Sequence, residues 1–69
     1  MILQNPVKET LIIDHVEKGI PFQIFDMTGK LVYQEKTSGN RFKIDTQNFT
    51  RGQYILIIQG SKPMKFIKE

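Results

Sequence analysis

Sixty-nine residues, 39 % of them hydrophobic, leave room for one small core and no second. The chain has no Cys, Trp or Ala; this excludes a disulfide framework and a thiolate zinc site and, with ten Ile and five Thr, argues against a helix bundle. Ten basic residues against seven acidic ones give a net charge of +3, mild and dispersed where a nucleic-acid binder shows a concentrated stripe.

The opening Met1-Ile2-Leu3-Gln4-Asn5-Pro6 has no basic start, long apolar stretch or small-residue cleavage site, so it does not read as a signal peptide. Met1 reads as an expression start, and residues 1–69 as a single domain belonging to something longer. Turn signals follow about every ten residues, at Asn5-Pro6, Glu17-Lys18-Gly19, Asp26-Met27-Thr28-Gly29, Ser38-Gly39-Asn40, Thr50-Arg51-Gly52 and Gly60-Ser61-Lys62-Pro63. That rhythm predicts an all-β, antiparallel sandwich or barrel of six main strands, with a short seventh at 5–7.

The segments between the turns alternate. Val7, Leu11 and Ile13 share one parity, as do Ile20, Phe22 and Ile24. Leu31 and Tyr33 follow, with Val32 opposite. Phe42 and Ile44 stand between Arg41, Lys43 and Asp45, the pattern of a half-buried strand. Tyr54, Leu56 and Ile58 give the next face, and Met64 and Phe66 the last. Ile55 and Ile57 make the other side of 54–58 apolar too. This predicts a central strand covered on both sides, with a loop curled over the second; the alternative is a docking surface. That same run, Tyr54 to Ile58, is the longest apolar stretch, far short of the about 20 residues a membrane helix needs.

Two turns carry a mechanical reading. In Asp26-Met27-Thr28-Gly29-Lys30, Asp26 accepts backbone N–H groups and Gly29 takes the left-handed conformation that closes a hairpin. Phe49-x-x-Gly52-x-Tyr54 resembles a tyrosine corner, in which a strand-start tyrosine returns its hydroxyl to backbone just upstream.

Chemistry-bearing patterns are sparse. Ser38 and Ser61 lie in turns without a nucleophile elbow, and His15, the one imidazole, reads as a solvent-facing strand end. The scattered carboxylates make no metal-ligand spacing, and the isolated glycines make no phosphate loop. The sequence thus predicts no enzyme, no cofactor and no metal. Asn48-Phe49-Thr50 matches a glycosylation acceptor, a common triplet. Of the seven aromatics most share the parity of the buried face and only Phe25, next to Asp26, stands out, which argues against base stacking.

Four blocks in order then resemble one family. These are Asn5-Pro6-Val7 with Leu11 and Ile13, the run Ile24-Phe25-Asp26-Met27-Thr28-Gly29-Lys30-Leu31-Val32, the run from Phe49 to Ile58, and the closing Lys65-Phe66-Ile67-Lys68-Glu69. Together they resemble the C-terminal sorting domain of the type IX (Por) secretion system of Bacteroidetes over nearly the whole chain. Phe49 stands where Leu is usual, and Gln4 replaces a frequent Pro. The resemblance implies a small Ig-like β-sandwich at the end of a longer secreted protein. It implies an address and not a catalyst, recognised by an outer-membrane translocon after export to the periplasm. A sortase-like protease then removes it and anchors the cargo to lipopolysaccharide at the cell surface. The positions carried over are Asp26, Gly29 and Lys30, then Gly52 and Tyr54, then Lys65 and Lys68. Recognition is expected through a strand edge and the basic end, Lys62, Lys65 and Lys68, although edge lysines also discourage unwanted pairing. Strand edges also allow a dimer. The alternative is an Ig-like module that binds protein or carbohydrate, a protein binder showing an apolar patch around Ile55 and Ile57.

Overall fold

A computed structural model describes residues 6–69. Six strands follow one another: β1 (Thr10–Asp14), β2 (Pro21–Asp26), β3 (Leu31–Lys36), β4 (Arg41–Asp45), β5 (Gly52–Ile58) and β6 (Met64–Lys68). The described residues contain no helix. The strands form two sheets, β1-β4 and β3-β2-β5-β6, with every strand pair antiparallel. The expected seventh strand shrinks to one residue. Val7 makes a lone parallel bridge to Lys68, and Asn5 lies outside the described residues.

The predicted alternation decides what goes inside. Val7, Leu11, Ile13, Phe22, Ile24, Phe42, Ile44, Tyr54, Leu56, Ile58 and Phe66 form one buried cluster. The two sheets meet through it, as the Phe22 and Phe42 ring centroids, 5.3 Å apart, show. Rings continue along the interior from Phe22 to Tyr33, Phe49, Tyr54 and Phe66, with neighbouring centroids 5.2 to 6.3 Å apart. Phe25 is outside this row, as its parity requires.

Two strands cannot cover four. β3, an edge strand, is exposed along its whole length, and Leu31, Val32 and Tyr33 remain 36 to 39 % exposed. At the opposite edge, β6 gains cover from the segment before β1. The Val7 N–H donates to the Ile67 carbonyl at 2.7 Å, the Glu69 N–H donates to the Val7 carbonyl at 2.8 Å, and Val7 itself is fully buried. β5 is central in its sheet, as predicted. The loop expected over Ile55 and Ile57 is absent among the described residues: both stay half-buried, and neither belongs to the core cluster. One interior suffices for a sandwich this small, so the second apolar side of β5 faces outward.

Candidate recognition surface

The β2–β3 turn is organised by one carboxylate. Asp26 Oδ1 accepts the Thr28 N–H at 2.9 Å, the Thr28 hydroxyl at 2.6 Å and the Lys30 N–H at 3.0 Å. Backbone bonds from Gly29 N to the Asp26 carbonyl and from Asp26 N to the Lys30 carbonyl close the hairpin. The Thr28 hydroxyl first, then the Lys30 and Thr28 N–H groups and the Lys30 charge, hold the carboxyl below the usual range. Gly29 sits at φ 88°, where a side chain is strained. Asp26 and Gly29 therefore shape the turn, and it displays Lys30 as an exposed cation.

Tyr54 forms the predicted corner. Its hydroxyl donates to the Thr50 carbonyl at 2.6 Å, just upstream of Gly52, where φ is 150°. Burial, and then the nearby Asp26 charge, push the phenol above its ordinary pKa and keep it a donor. Asp26 and Tyr54 are also cross-strand partners, so the two motif blocks meet at one end of the β2–β5 pair.

The closing strand does not present its lysines alike. Lys62 and Lys65 are exposed. Lys68 shares the inward parity of Phe66 and is only 7 % exposed, its ammonium reaching the Glu69 carbonyl at 2.7 Å. A long stem lying along apolar surface with its charge at the rim accounts for this.

Sequence reasoning missed Thr37. Its buried hydroxyl accepts the Ile20 N–H at 2.9 Å and donates to the Glu17 carbonyl, while its backbone bonds Ile20 and Gly19. This clasp ties the β1–β2 connection to the end of β3. A buried threonine directly after an exposed strand is the one local signal, and it is weak.

Elsewhere His15 is exposed at the end of β1, at φ 61°, with Nδ1 3.2 Å from Asp14 Oδ2. Arg41 Nη2 lies 3.6 Å from the same oxygen. Burial works to raise the Asp14 carboxyl, but the His15 N–H and the His15 and Arg41 charges outweigh it and leave the pKa lowered. Asn48 is exposed in a turn, Ser61 in a bend, and Ser38 in the irregular link after β3. Among the described residues no group of three or more His, Cys, Asp or Glu could hold a metal ion, and no helix is long and apolar enough to cross a membrane.

The arrangement is a displayed surface on a rigid frame: a tight turn, a locked corner and cationic strand edges. The comparison with known families agrees, since residues 2–69 match the secretion-system C-terminal sorting domain. The chain belongs to that family. Neither the curated proteins nor the solved structures yield a match. Sorting domains of this family are signals for type IX secretion in Bacteroidetes. This sorting domain is therefore associated with that secretion system and with a cargo, and marks an exported protein, secreted or at the cell surface.

Proposed function

We propose that the sorting domain, residues 1–69, is a non-enzymatic tag appended to a longer cargo. It directs that cargo through the outer-membrane translocon, after which a sortase-like protease releases the tag and the cargo is anchored at the cell surface. The observation that carries this reading is the family match across 2–69, which takes in all four sequence blocks. In this reading Asp26, Gly29, Gly52 and Tyr54 set the shape that is recognised. Lys30 and Lys65 are the charges that are read, and Lys68 braces the end of β6. Strand addition would use β3, which has a neighbour on one side only, because Val7 already occupies part of the β6 edge.

A fusion of this chain to a periplasmic reporter, produced in a type IX host, tests the proposal. The reporter should reach the cell surface or medium, and deletion of 64–69 should retain it inside the cell. Because that deletion removes Phe66 from the core, Lys30→Glu/Lys65→Glu serves as the folded counterpart and should lower export. Continued export from both variants would overturn the mechanism.

The apolar outer side of β5 favours a second reading, an Ig-like protein-binding module. In that case the reporter stays inside while the domain still binds a protein.

A further inference from the structure

The outward side of β3-β2-β5-β6 has no element packed against it among the described residues. On one rung Leu31, Phe25 and Ile55 stand side by side across three strands and meet Lys65 on β6. On the next, Gln34 and Gln23 line up with Ile57. Gln53 and Ile67 form the rung on the other side of Ile55. Phe25, Ile55 and Ile57 are half-buried, while Leu31 is 39 % and Ile67 48 % exposed. None of the five belongs to the core cluster. At the Ile57 end a shallow depression of about 880 Å³ opens, its lining including Pro21, Gln23, Gln34, Glu35, Lys36 and Ile57.

The charge on this side has one sign. The outward positions of the four strands carry Lys36 at the β3 edge, Lys65 at the β6 edge, three glutamines and no carboxylate. Glu35 alternates to the inward side, and its carboxylate accepts the Lys36 backbone N–H at 3.2 Å.

Single exposed apolar residues need no explanation. A contiguous stripe across three strands with cations at both margins has the layout of an interface, an apolar centre inside a polar rim. Charge selects its occupant. A second copy brings Lys36 and Lys65 to a face whose one acid, Glu35, stands at the rim of the depression, so the lysines outnumber the carboxylates that could meet them, and like charges across an interface are unfavourable. A bilayer would have to desolvate the glutamine rungs. A folded protein with an apolar ridge, polar groups opposite the glutamines and carboxylates at its margins matches both the stripe and the lysines.

We infer that the outward face of β3-β2-β5-β6 docks a protein that presents an apolar ridge flanked by Asp or Glu side chains. Ile55 and Ile57 seat the ridge, and Lys36 and Lys65 pair with the acids. The inference rests on the sorting reading only for its setting, a type IX host.

The test produces the reporter fusion in that host with a photo-crosslinking benzoylphenylalanine in place of Ile57 or, as control, of Ile12 on the opposite sheet. Illumination should give a protein adduct from position 57 and none from position 12. Lys36→Glu/Lys65→Glu should reduce it about tenfold or more, the loss expected from one well-placed charge pair, and Lys43→Glu should not. Circular dichroism and thermal unfolding check that each variant is folded, and Lys36→Gln/Lys65→Gln replaces the reversal should that one unfold. An adduct between two copies of the fusion, a lipid adduct, no adduct, or one indifferent to the lysine changes overturns the inference. Crosslinking reads contact and not export. A retained fusion that crosslinks as expected sinks the sorting reading and keeps the face; an exported fusion with an unresponsive face does the reverse.

Discussion

The sandwich has two outward faces, built by the same alternation and opposite in kind. Over β1 and β4 the outward residues are Thr10, Ile12, Asp14, Arg41, Lys43 and Asp45, in the cross-strand pairs Thr10–Asp45, Ile12–Lys43 and Asp14–Arg41. Charges of both signs balance there, one pair in contact, with a single apolar residue. Over β3-β2-β5-β6 the outward residues are apolar or amide, with lysines alone as charges. The first face is what a sheet presents to water. The second holds more apolar surface than a domain with one core requires.

The comparison breaks most sharply on β5, where neighbouring residues belong to opposite sides. Leu56→Ala removes a fully buried side chain and should cost about 3 kcal/mol, a large share of the roughly 3–10 kcal/mol a domain of this size holds. Ile55→Thr, on the outward side with its β-branching kept, should cost about 0.5 kcal/mol. Urea unfolding of both variants checks this; equal losses would mean that the outward side of β5 is covered after all.

Gly29→Val forces a β-branched residue into the positive-φ position of the turn joining β2 to β3, and should cost about 2 kcal/mol. Unchanged melting would show that this turn does not hold β3 in the apolar face. Tyr54→Phe keeps the ring stack and removes the bond to Thr50, for an expected loss of about 1 kcal/mol in thermal unfolding.

The smallest effect separates the faces by pH. Asp14, on the charged face, and Asp26, in the hairpin turn, both have carboxyl pKa values lowered by folding. Their stabilisation is therefore complete above the unfolded carboxyl value, about 4, and is lost as pH falls through the depressed folded values. Unfolding followed from pH 6 to pH 2 should show this decline, and Asp14→Asn should make it shallower. Lys65→Gln removes no carboxylate and no partner of Asp14 or Asp26, so it should leave the acid limb unchanged.

Much of the fold was legible because alternation is a local property. The inward residues of β1, β2, β4, β5 and β6 stand where their parity placed them, and the Asp26 turn and Tyr54 corner are written within six residues or fewer. What was not legible depends on what lies opposite. Leu31 and Tyr33 share a parity in the sequence, yet the register shift between Ile24 and Phe25 sets Leu31 opposite Phe25 on the outward side, while Tyr33 lies inward on a strand that overhangs the two-stranded sheet. Lys68 carries a charge that says outward and a parity that says inward, and parity decided. The Thr37 clasp joins residues 17 and 20 positions apart, beyond any local signature. For the recognition surface, the sequence named Ile55 and Ile57, but it took the register to set Leu31, Phe25 and Lys65 beside them.

The bridge at Val7 also decides how the domain carries load. Two backbone bonds clip the segment entering at Pro6 to the strand leaving at Glu69, side by side and pointing the same way. Tension drawn between those two points falls on that clip and, with it, on the buried Val7 side chain. A tether pulled from one end while the other is gripped would load this pair of hydrogen bonds in shear.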